Sequence, residues 1–231
     1  VAMLSRNALY LHRHGQRVED LSTLQAFTFR QAEGFCPIAE LAGGVDALVP
    51  APGLPIVFKR SYLQQISRRF ELGPLGRGWT HNWQMKLRAE ADHTVFITDE
   101  TGTPRIFQPD SRYTGRYVAQ PGDQGELRAV DGGYRLTEVE GMVLFFSGAG
   151  ELMYVEDTNG NRITCTYTDH RLTGLAHSSG AALGLAYNAE GRLASVTDPE
   201  GRQARFTYAG EYLTSVQAHD GRTTAYSYHV A

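Results

Sequence analysis

Four leucines, Leu152, Leu172, Leu193 and Leu213, recur at intervals of 20, 21 and 20 residues. Eight residues after each comes a glycine (Gly160, Gly180, Gly201, Gly221), and fifteen after each a tyrosine (Tyr167, Tyr187, Tyr208, Tyr228). The single extra residue falls between Tyr187 and Leu193, outside the constant span, where a connector tolerates an insertion and a paired strand does not. Similarity held at a fixed period marks one supersecondary unit stacked on copies of itself.

Each unit reads as a β-hairpin. The turns "DTNGNR", "DPEGR" and "AHDGR" put glycine where a turn needs positive φ, with Asp, Asn or Pro ahead of it, and "HSSGAA" is a weaker version. After the glycine, alternate positions form a column: Ile163, Leu183, Ala204 and Thr224, then Cys165, Leu185, Phe206 and Tyr226, then the four tyrosines. Thr164, Thr166, Gly184, Ala186, Arg205, Thr207, Ala225 and Ser227 occupy the positions between. Period two with one apolar face is a half-buried antiparallel strand. The tyrosines, which could also form a ladder for stacking sugars, are read as core, their hydroxyls reaching solvent or a neighbour.

The rest of the chain is also expected to be β. "HTVFITDETGTPRIFQP" (93–109) and "YRLTEVEGMVLFFSGAGEL" (134–152) each place a turn between β-favouring runs, and 110–133 reads as loop. Only Val18–Phe27 offers a short helix. The fold class is thus all-β, built of stacked antiparallel β-hairpins. The divisions are an unassigned segment 1–42, an opening region of hairpins 43–150, and four repeats 151–231.

Several function classes fall away. The net charge is −3, and only Lys59 and Lys86 of the 22 basic residues are lysines, with the arginines scattered. This makes no electrostatic case for nucleic acid or an anionic membrane. No stretch has the apolar length of a transmembrane helix, and no signal peptide is visible. Cys36 and Cys165 lack metal spacing; they could pair, but two buried free thiols is the reading adopted.

"GPLGRG" (73–78) lacks the terminal Gly-Lys-Ser/Thr of a phosphate loop and reads as a tight turn before Trp79. His12 and His14 would share a strand face, but no third metal ligand is placed by spacing. Ser61, His81 and Asp99 make a triad only on paper, since no nucleophile elbow surrounds them. Trp79 and Trp83 read as packing beneath the first hairpins, with a carbohydrate platform as the sharper alternative. No catalytic, cofactor-binding or metal residue is assigned, no cofactor is expected, and the chain is expected not to be an enzyme.

The repeat of Gly-Arg, then Tyr, then a leucine-headed strand resembles the YD repeat of the Rhs (rearrangement hotspot) family. "GGVDALVPAPGLPIVFKRSY" (43–62) and "LGPLGRGWTHNWQMKL" (72–87) resemble the segment that opens the Rhs core. "DGGYRLTEVEGMVLFFSGAGELMYVEDTNGNRITCTY" (131–167) resembles its passage into the first repeats. The likeness runs from about Gly43 to Ala231. It implies a sheet coiled into part of a hollow shell, in a bacterial polymorphic toxin that is secreted or held at the cell surface. The shell would enclose, protect or present another polypeptide such as a C-terminal toxin domain. The implied partners are further YD repeats of the parent chain and that enclosed domain, with no nucleic acid and no membrane insertion. The alternative is a cell-surface carbohydrate-binding or adhesion module whose partners are surface glycans. The family's self-cleaving protease uses paired Asp-Pro-x-Gly motifs; "DPEG" at 198–201 occurs once, so that activity is not carried over. "TTAYSYHV" (223–230) has no lysine, proline or bulge signal protecting an edge, so another repeat is expected to follow it.

Overall fold

The repeat is an open meander in the computed structural model, which describes residues 20–32, 40–63, 67–99, 102 and 104–228, with Leu4, Asn7 and Ala8. Helix α1 (Leu21–Ala32) overlaps the expected Val18–Phe27 and runs past its end, Val18 and Glu19 lying outside the described residues, and Leu24 N–H donates to the Asp20 carbonyl at its start. Strands β1 (Glu40–Val49), β2 (Ile56–Leu63) and β5 (Trp79–His81) form a three-stranded antiparallel sheet. Between them, β3 (Leu72–Gly73) and β4 (Gly76–Arg77) make a small hairpin. A second sheet holds β6 (Lys86–Ala89), β7 (Val95–Thr98), β8 (Pro104–Pro109) and β9 (Tyr117–Ala119).

An eleven-stranded sheet follows in strict sequence order among the described residues. It comprises β10 (Glu126–Val130), β11 (Gly133–Thr137), β12 (Val143–Ser147), β13 (Leu152–Glu156), β14 (Arg162–Thr168) and β15 (Arg171–His177). It continues through β16 (Ala182–Tyr187), β17 (Leu193–Thr197), β18 (Gln203–Ala209), β19 (Tyr212–Gln217) and β20 (Thr223–Ala225). Residues 110–133 are therefore not all loop. β9 and β10 lie within them: β9 pairs with β8, and in β10 the fully buried Leu127 pairs with Leu136 across a tight turn, pairings too short to register against the polar composition.

All four glycine turns share one hydrogen-bond pattern. The glycine N–H donates to the carbonyl three residues back: Gly160 to Asp157, Gly180 to His177, Gly201 to Asp198 and Gly221 to Ala218. These glycines have φ of 80°, 96°, 80° and 85°, the left-handed region that a Cβ disfavours. Asp157 and Asp198 brace their turns by accepting backbone N–H bonds from Asn159 and Asn161, and from Glu200 and Arg202. At the weaker "HSSGAA" turn the imidazole of His177 does the same, its Nδ1 accepting from Ser179 N–H at 3.0 Å.

The tyrosine-to-leucine interval has a structural cause. Each tyrosine pairs across the ladder with the leucine of the next unit, Tyr167 with Leu172, Tyr187 with Leu193 and Tyr208 with Leu213. A bulge accompanies each pairing and leaves Thr173, Ala194 or Thr214 as the extra residue. The hydroxyls of Thr173 and Thr214 donate back across the bulge to the carbonyls of Thr166 and Thr207. Each tyrosine hydroxyl donates to the carbonyl of its own unit's leucine: Tyr167 to Leu152 at 2.9 Å, Tyr187 to Leu172 at 2.9 Å, Tyr208 to Leu193 at 2.7 Å and Tyr228 to Leu213 at 2.6 Å. Because a bulge adds twist and always falls on the strand opening a unit, the repeats impose a coil of one sense on the sheet.

Tyr167, Tyr187 and Tyr208 lie on one face with the buried columns Ile163, Leu183 and Ala204, and Cys165, Leu185 and Phe206, while Tyr228 follows the end of β20. In the fourth unit the column ends: Thr224 is exposed and Tyr226 is half-buried. The opposite face of β18 carries exposed Arg205, whose Nε donates to Gln203. Phe206→Ala should therefore destabilise by roughly 3–5 kcal/mol, and Arg205→Ala by under about 1 kcal/mol. Denaturant melts check this, and equal costs would mean the faces are wrongly assigned.

Candidate functional site

A half-buried sheet needs a cover for its apolar face, and here the cover comes from the other end of the chain. Val49, Ile56, Phe58, Leu75, Trp79, Trp83 and Leu87 join the repeat leucines in one core. The seam where this cover meets the repeats joins them through polar and aromatic contacts.

The β3–β4 hairpin supplies the central wedge. "GPLGRG" is the tight turn expected, and its tip carries the fully buried Leu75. Leu193 N–H, at the bulge opening the third unit, donates to the Pro74 carbonyl at 2.7 Å. Arg77 N–H donates to the Glu211 carbonyl at 2.9 Å, and the Arg77 guanidinium pairs with the Glu211 carboxylate. Gly76 has φ of 89°, and a Cβ there would come within 2.6 Å of the Glu211 carbonyl oxygen. Glycine is needed both for the turn and for the closeness of the two backbones.

Trp79 and Arg60 clasp the last unit. Trp79 is 3% exposed and its Nε1 donates to the Tyr228 hydroxyl at 2.8 Å, which itself donates to Leu213. Its ring centroid lies 4.7 Å from that of Tyr226 and 5.2 Å from that of Tyr62. Arg60 is buried against Asp46 in an ion pair, and its NH2 donates to the Tyr226 hydroxyl at 2.7 Å. Asp46 sits at a bulge in β1, which turns this carboxylate inward toward Arg60.

His81 is 3% exposed, stacked on Phe58 at 5.0 Å, with its Nδ1 unpaired among the described residues. Burial pushes its pKa down to about 3, so the ring is neutral. The register sets Ser61 opposite Thr80 and His81 opposite Arg60. Cross-strand partners share a face and adjacent residues do not, so Ser61 and His81 lie on opposite faces and form no triad. Asp99 follows β7, in the second sheet. Trp83 is buried too, its Nε1 donating to the Val57 carbonyl, so neither indole offers a free face to a sugar. Cys165 is a buried free thiol, pushed up to about 12 by burial. His12, His14 and Cys36 lie outside the described residues.

The sequence reading missed two parts of this arrangement. Position 60 carried a signal, an arginine between apolar alternations in β2, but nothing local points it at Tyr226, 166 residues away. The residue before each of the last three repeat leucines covers the next tyrosine ring: Arg171 lies 5.9 Å from Tyr187, Arg192 lies 5.7 Å from Tyr208, and Tyr212 lies 5.0 Å from Tyr228. The recurrent Arg-Leu pairs in "HRLTG" and "GRLAS" were the available clue.

The fold and its seam define a β-hairpin repeat protein whose first sheets cover its repeat sheet. The RHS Repeat family model matches residues 187–217, from Tyr187 through the third unit to the end of β19. A model described as Domain of unknown function (DUF6531) matches residues 40–107, from β1 into β8. No curated protein matches the chain. Together the two matches support an Rhs/YD-repeat protein, N-terminal region. The two matched segments touch at the seam, through Pro74 and Leu193 and through Arg77 and Glu211.

His81 generates a pH prediction. Its folded pKa lies below the ordinary value of 6.5, so between pH 6.5 and about 3 the unfolded chain holds a proton that the folded chain lacks. This contribution to stability is complete above about pH 6.5 and is lost as pH falls toward 3. His81→Phe should flatten the stability–pH curve over that interval, by up to about 1.4 kcal/mol per pH unit. Urea melts from pH 7 to 4 check this, and an unchanged slope would contradict a neutral buried imidazole.

Proposed function

We propose that this chain is a structural section of an Rhs-type shell, whose work is to enclose, protect or present another polypeptide such as a toxin domain. The observation that carries the reading is the seam: residues 40–107 cover the leucine face of the repeats, as the closed end of a container must. The role is mechanical and not catalytic. Location outside the cytoplasm, or at the bacterial surface, is part of the proposal and follows from the family resemblance.

Protease protection in the complete natural gene product tests this. The polypeptide beyond the repeats should survive trypsin in the folded protein and be cut once Leu75→Asp opens the cover. Without protease the mass of the present chain should stay constant. Rapid cleavage of the downstream polypeptide in the native protein, or a specific self-cleavage product of this chain, would overturn the proposal. Retention on a glycan array would instead favour adhesion.

A further inference from the structure

The outward face at the start of the large sheet is built unlike the rest. Ala129 N–H donates to the Gly115 carbonyl at 2.7 Å, and Arg116 bridges Arg128, so the residues leading into β9 lie beside β10. Arg128 pairs in register with Arg135, Arg135 with Phe145, and Phe145 with Tyr154. Three arginines thus stand in a row across adjacent strands, which lie about 4.8 Å apart. Directly opposed like charges destabilise a sheet. One carboxylate answers two of them: Glu126 accepts from Arg128 at 2.7 Å and stands 3.7 Å from Arg116. Arg135 has no ion-pair partner among the described residues.

Apolar side chains are set among these charges. Val118, two residues past Arg116, is 50% exposed, Val130, two past Arg128, is 42% exposed, and Tyr113 is 57% exposed. The Tyr113 ring has the guanidinium groups of Arg112 and Arg116 near it, at 5.8 and 5.6 Å. The neighbouring rings are closed to stacking ligands, because Phe145 and Tyr154 stack on each other at 5.2 Å and Arg162 covers Tyr154 at 4.0 Å. A sugar or a nucleobase would need a free ring face, and it gains nothing from exposed valines. Arginine and aromatic residues with aliphatic neighbours, and no lysine, are the composition of protein interfaces.

We propose that this face, centred on Arg116, Arg128 and Arg135 with Val118, Val130 and Tyr113 among them, docks a protein partner that presents carboxylates beside apolar side chains. The partner's carboxylates take up the arginines bidentately and relieve their mutual repulsion. The face therefore gives up stability in the free chain for affinity in the complex.

The probe is a fluorescein-labelled alternating Glu–Val peptide, measured by anisotropy on the 231-residue chain, with heparin and a single-stranded oligonucleotide run alongside. The native chain should bind the peptide more tightly than either polyanion, and less tightly as salt rises. Arg135→Glu should weaken peptide binding by about tenfold or more, while Arg205→Glu, an exposed arginine elsewhere on the same sheet, should not. Arg135→Glu sets a carboxylate opposite Arg128, so its melting temperature should equal or exceed the native value. Arg128→Gln, which keeps a polar side chain, should weaken binding in the same direction. No peptide binding, equal binding by Arg135→Glu, tighter binding of heparin or the oligonucleotide, or a lower melting temperature for Arg135→Glu would each overturn the proposal.

Discussion

A tyrosine hydroxyl reaching back fifteen residues to a leucine carbonyl is the contact on which the repeat rests. The bulge that coils the sheet also interrupts its ladder, and a buried carbonyl left without a donor costs about 1–3 kcal/mol. The phenol provides that donor from the neighbouring strand, and its ring fills space beside the next leucine. Charge would ruin the contact, and burial raises the pKa of Tyr167, Tyr187 and Tyr208, the second of these to about 12, so the proton that makes the bond is retained. At β12, before the repeats proper, Phe146 stands opposite Leu152 without a hydroxyl, and the pattern begins only with the next strand.

From that contact follows the need for a cover. Hairpins stacked this way put every leucine on one face, and exposing them would forfeit about 25 cal/mol per Å² of apolar area. The first two sheets meet that face at separated points: Leu87 N–H on the Gly150 carbonyl, Pro74 on Leu193, Arg77 on Glu211, and Trp79 on Tyr228. A cover that reaches the turn leading into the first unit as well as the third and fourth units ties their relative positions together, so it contributes to curvature as well as burial. Arg60 and Asp46 do a different kind of work. A buried ion pair is weak evidence of net stability, yet removing one partner is costly because the other charge is left buried and alone. It specifies where β20 sits through Tyr226 and tolerates little else.

The outer surface is governed by the opposite balance. Over most of the large sheet it is threonine, alanine and serine, as in Thr164, Thr166, Ala182 and Thr207, which cost nothing in water. The arginine row at its start departs from that economy, and on the proposed reading the departure is what a partner recognises.

Everything periodic was legible in the chain. The turns, the strand alternation, the buried columns through Phe206 and the shared face of the tyrosines all follow from spacing, since local rules of period two and positive φ decide them. The glycine-rich turn before Trp79 and the burial of both tryptophans were likewise readable from residue type. Three things were not. The strands within 110–133 were hidden because two- to five-residue pairings leave little local signal. Thr224 looked like a core position by its place in the column, but burial needs a covering surface and none of the described residues lies over it. His81 and Arg60 owe their properties to company: one is neutral because it is enclosed, the other fixed because Asp46 and Tyr226 converge on it from residues far apart in the chain. Spacing determined the unit and its stacking; only the tertiary structure decided what closes over the stack, because a contact across 166 residues is set by how two sheets pack and by no local preference of either.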